Sequence, residues 1–586
     1  MLLYLVNQII KRMRHYLLLF IISSLTLSVS AQDAVSLDSI IAEYQNQRDY
    51  NWRDYPLGRY DEELPKARAE AAQDLLKKLE GVETTALNDS ELISYKLLNF
   101  VLQDRVDHYK YKMYLNPLQA DQGFHLNLNY QVRPINSYQQ AEGYLNRLKA
   151  IPYFTESQFA LMRKGLKEGI NQPKIIFNGY ESTYNTHIVE DPTESYFYSP
   201  FLALPESISA ARKDSLLNAA QQVINDSVVP SFKKIKTFFE TEYLPQTRDE
   251  IGVSSRPGGK EFYQNRIDFY TTSKDYTAQS VHELGLKEVA RIKADMEKII
   301  KEVDFEGSFA DFLEFLRTDD QFFVTTEDAL LMHARDIAKR VDNELPAFFS
   351  KLPRQPYGVI KVPDAIAPKY TGGRYSGSSI NGTQAGHYLV NTYKLDSRTL
   401  YTLPALTAHE AAPGHHIQGA LNQELSDSIP QFRRNLYLSA YGEGWGLYAE
   451  YLADEMGIYR TPYEKFGQLT YEMWRACRLV VDTGIHAMGW SRQEVVDYMS
   501  QNTALSIHEI NTETDRYIGW PGQALSYKIG ELKIRELRKK AKNELGEDFD
   551  IRAFHEVILG EGTVTLPILE EQVNAYISKA KEALAK

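Results

Sequence analysis

Three histidines crowd around one glutamate in Thr407-Ala-His-Glu-Ala-Ala-Pro-Gly-His-His-Ile-Gln418, and together they offer the donor set of a divalent-metal site. In the helical zinc signature His-Glu-x-x-His, histidines at i and i+4 grip one ion, and the glutamate between them acts on a water. Here Pro413 occupies the i+4 place, and the next histidines are His415 and His416, at i+6 and i+7 from His409. On a regular helix i+6 lies roughly 120° round from the first histidine, and i+7 lies about 10 Å along the axis, so neither can share an ion with it. A metal reading therefore requires a broken helix. Pro413 has no N–H for the carbonyl of His409 and its ring clashes with that turn, while Gly414 admits backbone angles that other residues resist. The Pro-Gly pair is expected to bend the chain so that His415 meets His409 at the metal, with His416 as the alternative. By contrast, His282-Glu283 has no second histidine within two turns and lies in an amphipathic segment, which reads as an ordinary helix.

A third donor is offered by Ser439-Ala-Tyr-Gly-Glu-Gly-Trp-Gly-Leu-Tyr-Ala-Glu-Tyr-Leu452. Glu443 sits between glycines in an apolar, aromatic run where an unpaired carboxylate is expensive to bury, which makes it the candidate ligand. Its competing role is that of an anion near a helix N-terminus. Glu450, two turns on along the same face, suits support of a ligand. Arg478, Asp482 and His486 are spaced i, i+4 and i+8 in an apolar segment and predict a buried, hydrogen-bonded stripe in a supporting role. In DRYIGWPGQALSYKIGE, Tyr517 and Tyr527 each carry a neutral hydroxyl able to donate to an oxyanion, and both stand as candidates. Beside them Lys528 can meet a substrate carboxylate, and Gln523 can bond a peptide group.

Taken together, HEAAPGHH, EGWGLYAE, RLVVDTGIHAMGWS and DRYIGWPGQALSYKIGE resemble the bacterial domain-of-unknown-function family 885, whose members resemble the gluzincin zinc metallopeptidases. The resemblance covers most of the chain and is most specific between about Tyr375 and Glu531. It implies one Zn²⁺ held by His409, His415 and Glu443, with Glu410 as general base and a peptide as substrate. It also implies an edge strand near the metal that pairs with substrate backbone. The β-rich run Gly386-His-Tyr-Leu-Val-Asn-Thr-Tyr393 is the candidate, which puts His387 and Tyr388 among the expected substrate-binding residues. The glycine-rich stretch Thr371 to Gly382 lacks the spacing and lysine of a phosphate loop and reads as a rim beside the cleft.

The elements that must position these residues are mostly helical. Helical periodicity is expected over residues 61–80, 89–103, 139–148, 155–169, 207–240, 281–303, 327–345, 433–456, 464–481, 492–499 and 523–545, with few strands. The expected fold is mainly α, a large two-lobed body with a deep central cleft and a small sheet near the metal. Its parts are a signal peptide (1–31), a helical N-terminal lobe (32–280) and a C-terminal lobe carrying the motifs (281–586), the lobes interleaved in one unit.

Lys11, Arg12, Arg14 and His15 precede the apolar run Tyr16 to Ala31, which reads as an export signal cleaved near Ala31. No cysteine follows that run, which argues against a lipid anchor. The expected state is periplasmic or secreted, without stable membrane association. Cys477 is the single cysteine, so no intrachain disulfide can form and the core must suffice. A net charge of −12 without a basic cluster in the mature chain disfavours nucleic acid as a partner. The sequence thus predicts an exported zinc metallopeptidase. The alternatives are a metal-dependent hydrolase of another amide or ester, and a non-catalytic metal-containing binding protein.

Overall fold

In the computed structural model of the protein, residues 36–120, 122–364 and 366–585 are described. The expected export signal lies outside them. The described chain is mainly helical, with one three-stranded sheet. The elements that bear on the motifs are numbered here in chain order. They are α1 (Tyr138–Glu168), α2 (Gly259–Thr271), α3 (Ala278–Glu302), α4 (Glu327–Phe348), β1 (Tyr357–Lys361), β2 (Gly373–Ser376) and β3 (Gly386–Val390). After the sheet come α5 (Leu403–Glu410), α6 (His415–Gln423), α7 (Ser439–Glu455), α8 (Pro462–Met488), α9 (Ile507–Gly519) and α10 (Ser526–Leu545).

Helix α8 is the spine. Every residue from Phe466 to His486 is buried, so its polar members must find partners inside the protein. Two apolar cores meet along it. One gathers α1 and neighbouring helices against Trp474, Cys477 and Val480. The other gathers α4, the inner face of the sheet, α5, Trp445 and Tyr448 of α7, and α10. Close contact of α3 with α8 depends on Gly285, where a Cβ would lie 2.8 Å from the Cβ of Leu479.

Several elements differ from expectation. The helices expected at 139–148 and 155–169 are one continuous α1 with Pro152 inside it, because a single apolar face runs past the proline. The helix expected at 433–456 is a short turn, Gln431–Arg434, followed by α7. Helix α9 was not expected, since its buried face mixes Glu513, Thr514 and Tyr517 with Ile510 and hides the apolar period.

The strand order is β1-β3-β2, with β1 parallel and β2 antiparallel to β3. The run at 386–393 is therefore not an edge strand, because Tyr388 pairs with Val359 on one side and Tyr375 on the other. A substrate cannot pair with β3. The edges are β1, where Arg335 of α4 donates to the Val359 carbonyl at 3.2 Å, and β2, whose outer side faces the motif residues.

Candidate metal centre

Helix α5 ends where the proline requires. Its last regular bond runs from the Ala411 N–H to the Thr407 carbonyl at 2.9 Å, then Gly414 N–H reaches back to Ala408 at 3.0 Å, and α6 starts at His415. No side chain fits at 414, where a Cβ would stand 1.9 Å from the carbonyl oxygen of His409. The bend is fastened to α7 by Trp445, whose Nε1–H donates to the Pro413 carbonyl at 2.9 Å.

This break brings the two imidazoles together. Nε2 of His409 and Nε2 of His415 each lie 3.4 Å from the same oxygen, Oε2 of Glu443, and the rings stand at 87° with centroids 4.8 Å apart. Zinc sits about 2.0–2.1 Å from such donors, so neighbouring donors of a tetrahedral site stand about 3.4 Å apart. The residues fit a small divalent cation. His416 points elsewhere: its Nδ1 lies 3.1 Å from the Tyr375 hydroxyl and its ring packs 4.5 Å from that of Tyr357, and burial lowers its pKa to about 4.

The surroundings hold the donors in place. His409 Nδ1 donates to Glu450 Oε1 at 2.8 Å, which leaves Nε2 for an ion, and Arg475 Nη2 lies 3.3 Å from the same Glu450 oxygen. Burial disfavours a charged His409, but hydrogen bonds to Glu443 and Glu450 outweigh it and push the pKa up to about 10. Burial likewise opposes the Glu443 charge, yet the two imidazoles keep its carboxyl well below the usual range. The Tyr437 hydroxyl donates to Glu443 Oε1 at 2.8 Å. Glu410 faces β2, where its Oε2 accepts the Tyr375 N–H at 2.7 Å.

The glycines around Glu443 each answer a close approach. A Cβ at Gly442 would lie 2.4 Å from the Tyr437 ring, one at Gly444 would lie 2.6 Å from Gly530 of α10, and one at Gly446 would lie 2.6 Å from Cε1 of His409.

Of the two candidate tyrosines, Tyr517 is already engaged. Its hydroxyl accepts from Trp474 Nε1 at 2.8 Å and from Arg478 Nε at 2.9 Å, and burial with the Glu513 charge raises its pKa. It is buried and held against α8, with no contact to His409, His415 or Glu443 among the described residues. Tyr527 lies within the field of Glu443. Burial and that charge oppose its ionisation, but the Arg516 and Arg478 cations outweigh them and lower its pKa below the ordinary tyrosine value. The Arg478 guanidinium stands 4.3 Å over its ring. Gln523 is buried, accepting from Arg516 Nη2 at 2.9 Å, and so braces Arg516 rather than facing a substrate.

Lys528 is fully buried, with Nζ 2.8 Å from Glu472, 2.8 Å from Glu531 and 3.3 Å from Glu288. Three carboxylates already claim it, so it is no receptor for a substrate carboxylate. Tyr388 is fully buried and His387 half-buried on the central strand, so neither has the edge position expected of it. The stripe on α8 touches none of the three donors. Arg478 binds Glu513 at 2.9 Å, Asp482 accepts from Tyr263 at 2.6 Å and from Gly522 N–H at 3.1 Å, and His486 Nε2 donates to the Tyr517 carbonyl at 2.9 Å. Burial lifts the Asp482 pKa to about 7 and drops that of His486 to about 3. The stripe anchors the α9–α10 turn and, through it, Tyr527.

Sequence reasoning missed Tyr375, Tyr437 and Arg475. Among 39 tyrosines the first two carry no signal of their own, although the glycine at 442 marks the space one of them fills.

The model of a family described as "Bacterial protein of unknown function (DUF885)" matches residues 43–573. A "putative lipoprotein" from Colwellia psychrerythraea superposes with a TM-score of 0.82 at 26% identity, covering 89% of this chain and 92% of that one. A "putative lipoprotein of unknown function" from Shewanella oneidensis shares the fold at 17% identity with a TM-score of 0.64, covering 91% and 96%. No functionally curated protein matches the chain. Among the described residues no helix is long and apolar enough to cross a membrane.

Proposed function

The chain belongs to the bacterial DUF885 family, and from that membership and the donor geometry we propose that it is an exported zinc-dependent peptidase of gluzincin type. The observation that carries this reading is the placement of two imidazole nitrogens 3.4 Å from one carboxylate oxygen, with the carboxylate of Glu410 next to the first. His409, His415 and Glu443 would hold the cation. When bound, it supplies Lewis acidity, which lowers the pKa of a water and polarises a carbonyl. Glu410 is the proton carrier: its carboxylate takes a proton from the attacking water and passes it to the leaving amine. The Tyr375 N–H keeps that carboxylate in place. Tyr527, made more acidic than an ordinary tyrosine, donates to the oxyanion. The outer edge of β2, rather than β3, is where extended substrate backbone can add. Export is supported by the basic and apolar N-terminus and by the lipoprotein description of the structural relatives. This chain differs from a lipoprotein pattern in that its single cysteine, Cys477, is buried in α8.

The test is mass spectrometry of products from a mixed peptide library, alongside elemental analysis of untagged protein. Glu410→Gln should retain zinc and lose about 10²–10⁴-fold in turnover, and Tyr527→Phe should lose about 10²-fold or more in kcat. Unchanged turnover in Glu410→Gln would exclude the peptidase mechanism.

A further inference from the structure

We propose that a second site, a pocket at the N-terminal end of α5, binds a small zwitterion: a free α-amino acid with an apolar side chain. The pocket opens to solvent between the start of α5, the turn at residues 395–399 and the start of α9. Leu330, Val390, Leu403 and Leu406 give it apolar walls, Glu509 and Arg398 give it two half-buried charges of opposite sign, and Asp396 adds an exposed carboxylate. Neither charge has an ion-pair partner among the described residues. Arg398 uses Nε on the Tyr393 carbonyl at 3.1 Å, and among the described residues its terminal nitrogens have no partner. Glu509 has no hydrogen bond or ion pair to its carboxylate among the described residues, although after burial, which raises its pKa, Arg398 is the foremost group acting on it. The two face one cavity too far apart to pair. The other guanidinium in the wall is engaged: Arg317 is spent on the carbonyls of Leu505 (3.0 Å), Ser500 (3.0 Å) and Thr503 (2.5 Å).

Glu509 lies in the first turn of α9, where a carboxylate favours the helix, and its carboxylate has no ion-pair partner in the pocket. A ligand with an ammonium and a carboxylate on one carbon answers both groups, its ammonium at Glu509 and its carboxylate at Arg398, while its side chain meets the leucines. The wall is preformed. Asn391 Nδ2 donates to the carbonyls of Ala367, Tyr370 and Thr371 at 3.0, 3.1 and 3.0 Å, fixing the chain that leads through Gly372 into β2. An occupant would therefore touch α5, which carries His409 and Glu410, and Gly372, which leads into the strand that carries Tyr375. The proposal does not rest on the peptidase reading.

It is tested by isothermal titration of chelator-treated protein with leucine, valine, methionine and phenylalanine, and with leucinamide, N-acetyl-leucine and leucyl-leucine. At least one free amino acid should bind at about one per chain, with the amide and the acetylated form at least about tenfold weaker. Glu509→Gln and Arg398→Met should each weaken binding at least about tenfold, and Glu443→Gln should leave it unchanged. The proposal is overturned if none of the four amino acids binds at up to about 10 mM. Binding that survives both pocket variants, or a dipeptide that binds more tightly than every amino acid, overturns it equally.

Discussion

His409 stands between two carboxylates, and without a cation it keeps a proton that Glu443 and Glu450 both stabilise. The consequence has a sign. The ordinary histidine value is 6.5, and in the folded, metal-free protein the value is about 10. Below pH 6.5 folded and unfolded chains are both protonated, and the favourable contacts count in full. Between 6.5 and 10 folding must take up a proton, so stability falls as pH rises, and above about 10 this contribution is gone. Urea midpoints of chelator-treated protein, compared with those of His409→Gln, should show a gap that narrows steadily across that window. A gap constant with pH would mean that the carboxylates do not hold the proton. Zinc competes for the same nitrogen, so its affinity should rise with pH over the same range. The Tyr437 hydroxyl complements this arrangement by occupying Oε1 of Glu443, which leaves Oε2 for both imidazoles.

At the level of elements, the glycines packed along α7 divide the labour, and single alanines separate their roles. A Cβ at Gly446 meets the His409 ring at 2.6 Å, whereas one at Gly530 meets the Ala440 carbonyl at 1.9 Å where α7 crosses α10. Gly446→Ala should displace His409 and weaken zinc binding at least about tenfold while the chain still folds. Gly530→Ala should lower stability by about 1–3 kcal/mol or more whether or not metal is present. Chelator competition read beside thermal unfolding distinguishes the two, and equal effects of both variants on metal affinity would refute the division. These local features were legible in the sequence because each is written within a few residues: the Pro413-Gly414 break, the paired histidines, the glycines around Glu443. Strand order was not. Whether 386–393 lies at an edge depends on β1, some 30 residues earlier, and periodicity carries no record of which strands pair. The choice between Tyr517 and Tyr527 was closed for the same reason, since Trp474 and Arg478, which engage the former, are remote in sequence. Helix α9 escaped notice because the partners of its buried polar side chains lie on α8.

Across the whole molecule, one ionic cluster with a buried centre joins α3, α8 and α10. Lys528, Arg291 and Arg535 face the buried carboxylates Glu472, Glu531 and Glu288, and Arg291 also meets the part-exposed Asp295 at 3.3 Å. Glu472 accepts from all three, at 2.8 Å from Lys528 and 3.1 Å from Arg535, with Arg291 in close contact. One turn along α8 from Glu472, Arg475 reaches Glu450 and, through it, His409. The cluster thus fixes the helix that orients His409, the first candidate donor, and Lys528 belongs to the fold rather than to substrate recognition. Lys528→Met leaves one carboxylate in excess within a buried site, which costs about 3–5 kcal/mol. Removing a partner as well, in Lys528→Met/Glu531→Gln, restores the balance of charge, because Arg291 and Arg535 still face Glu472 and Glu288. Denaturant unfolding of chelator-treated protein should therefore show the double variant regaining much of the lost stability, a coupling that independent sites do not display. If Lys528 instead received a substrate carboxylate, Lys528→Met would fold normally and lose discrimination between peptides with free and amidated C-termini. The two outcomes exclude each other, and with Nζ held by three carboxylates the first is the one expected.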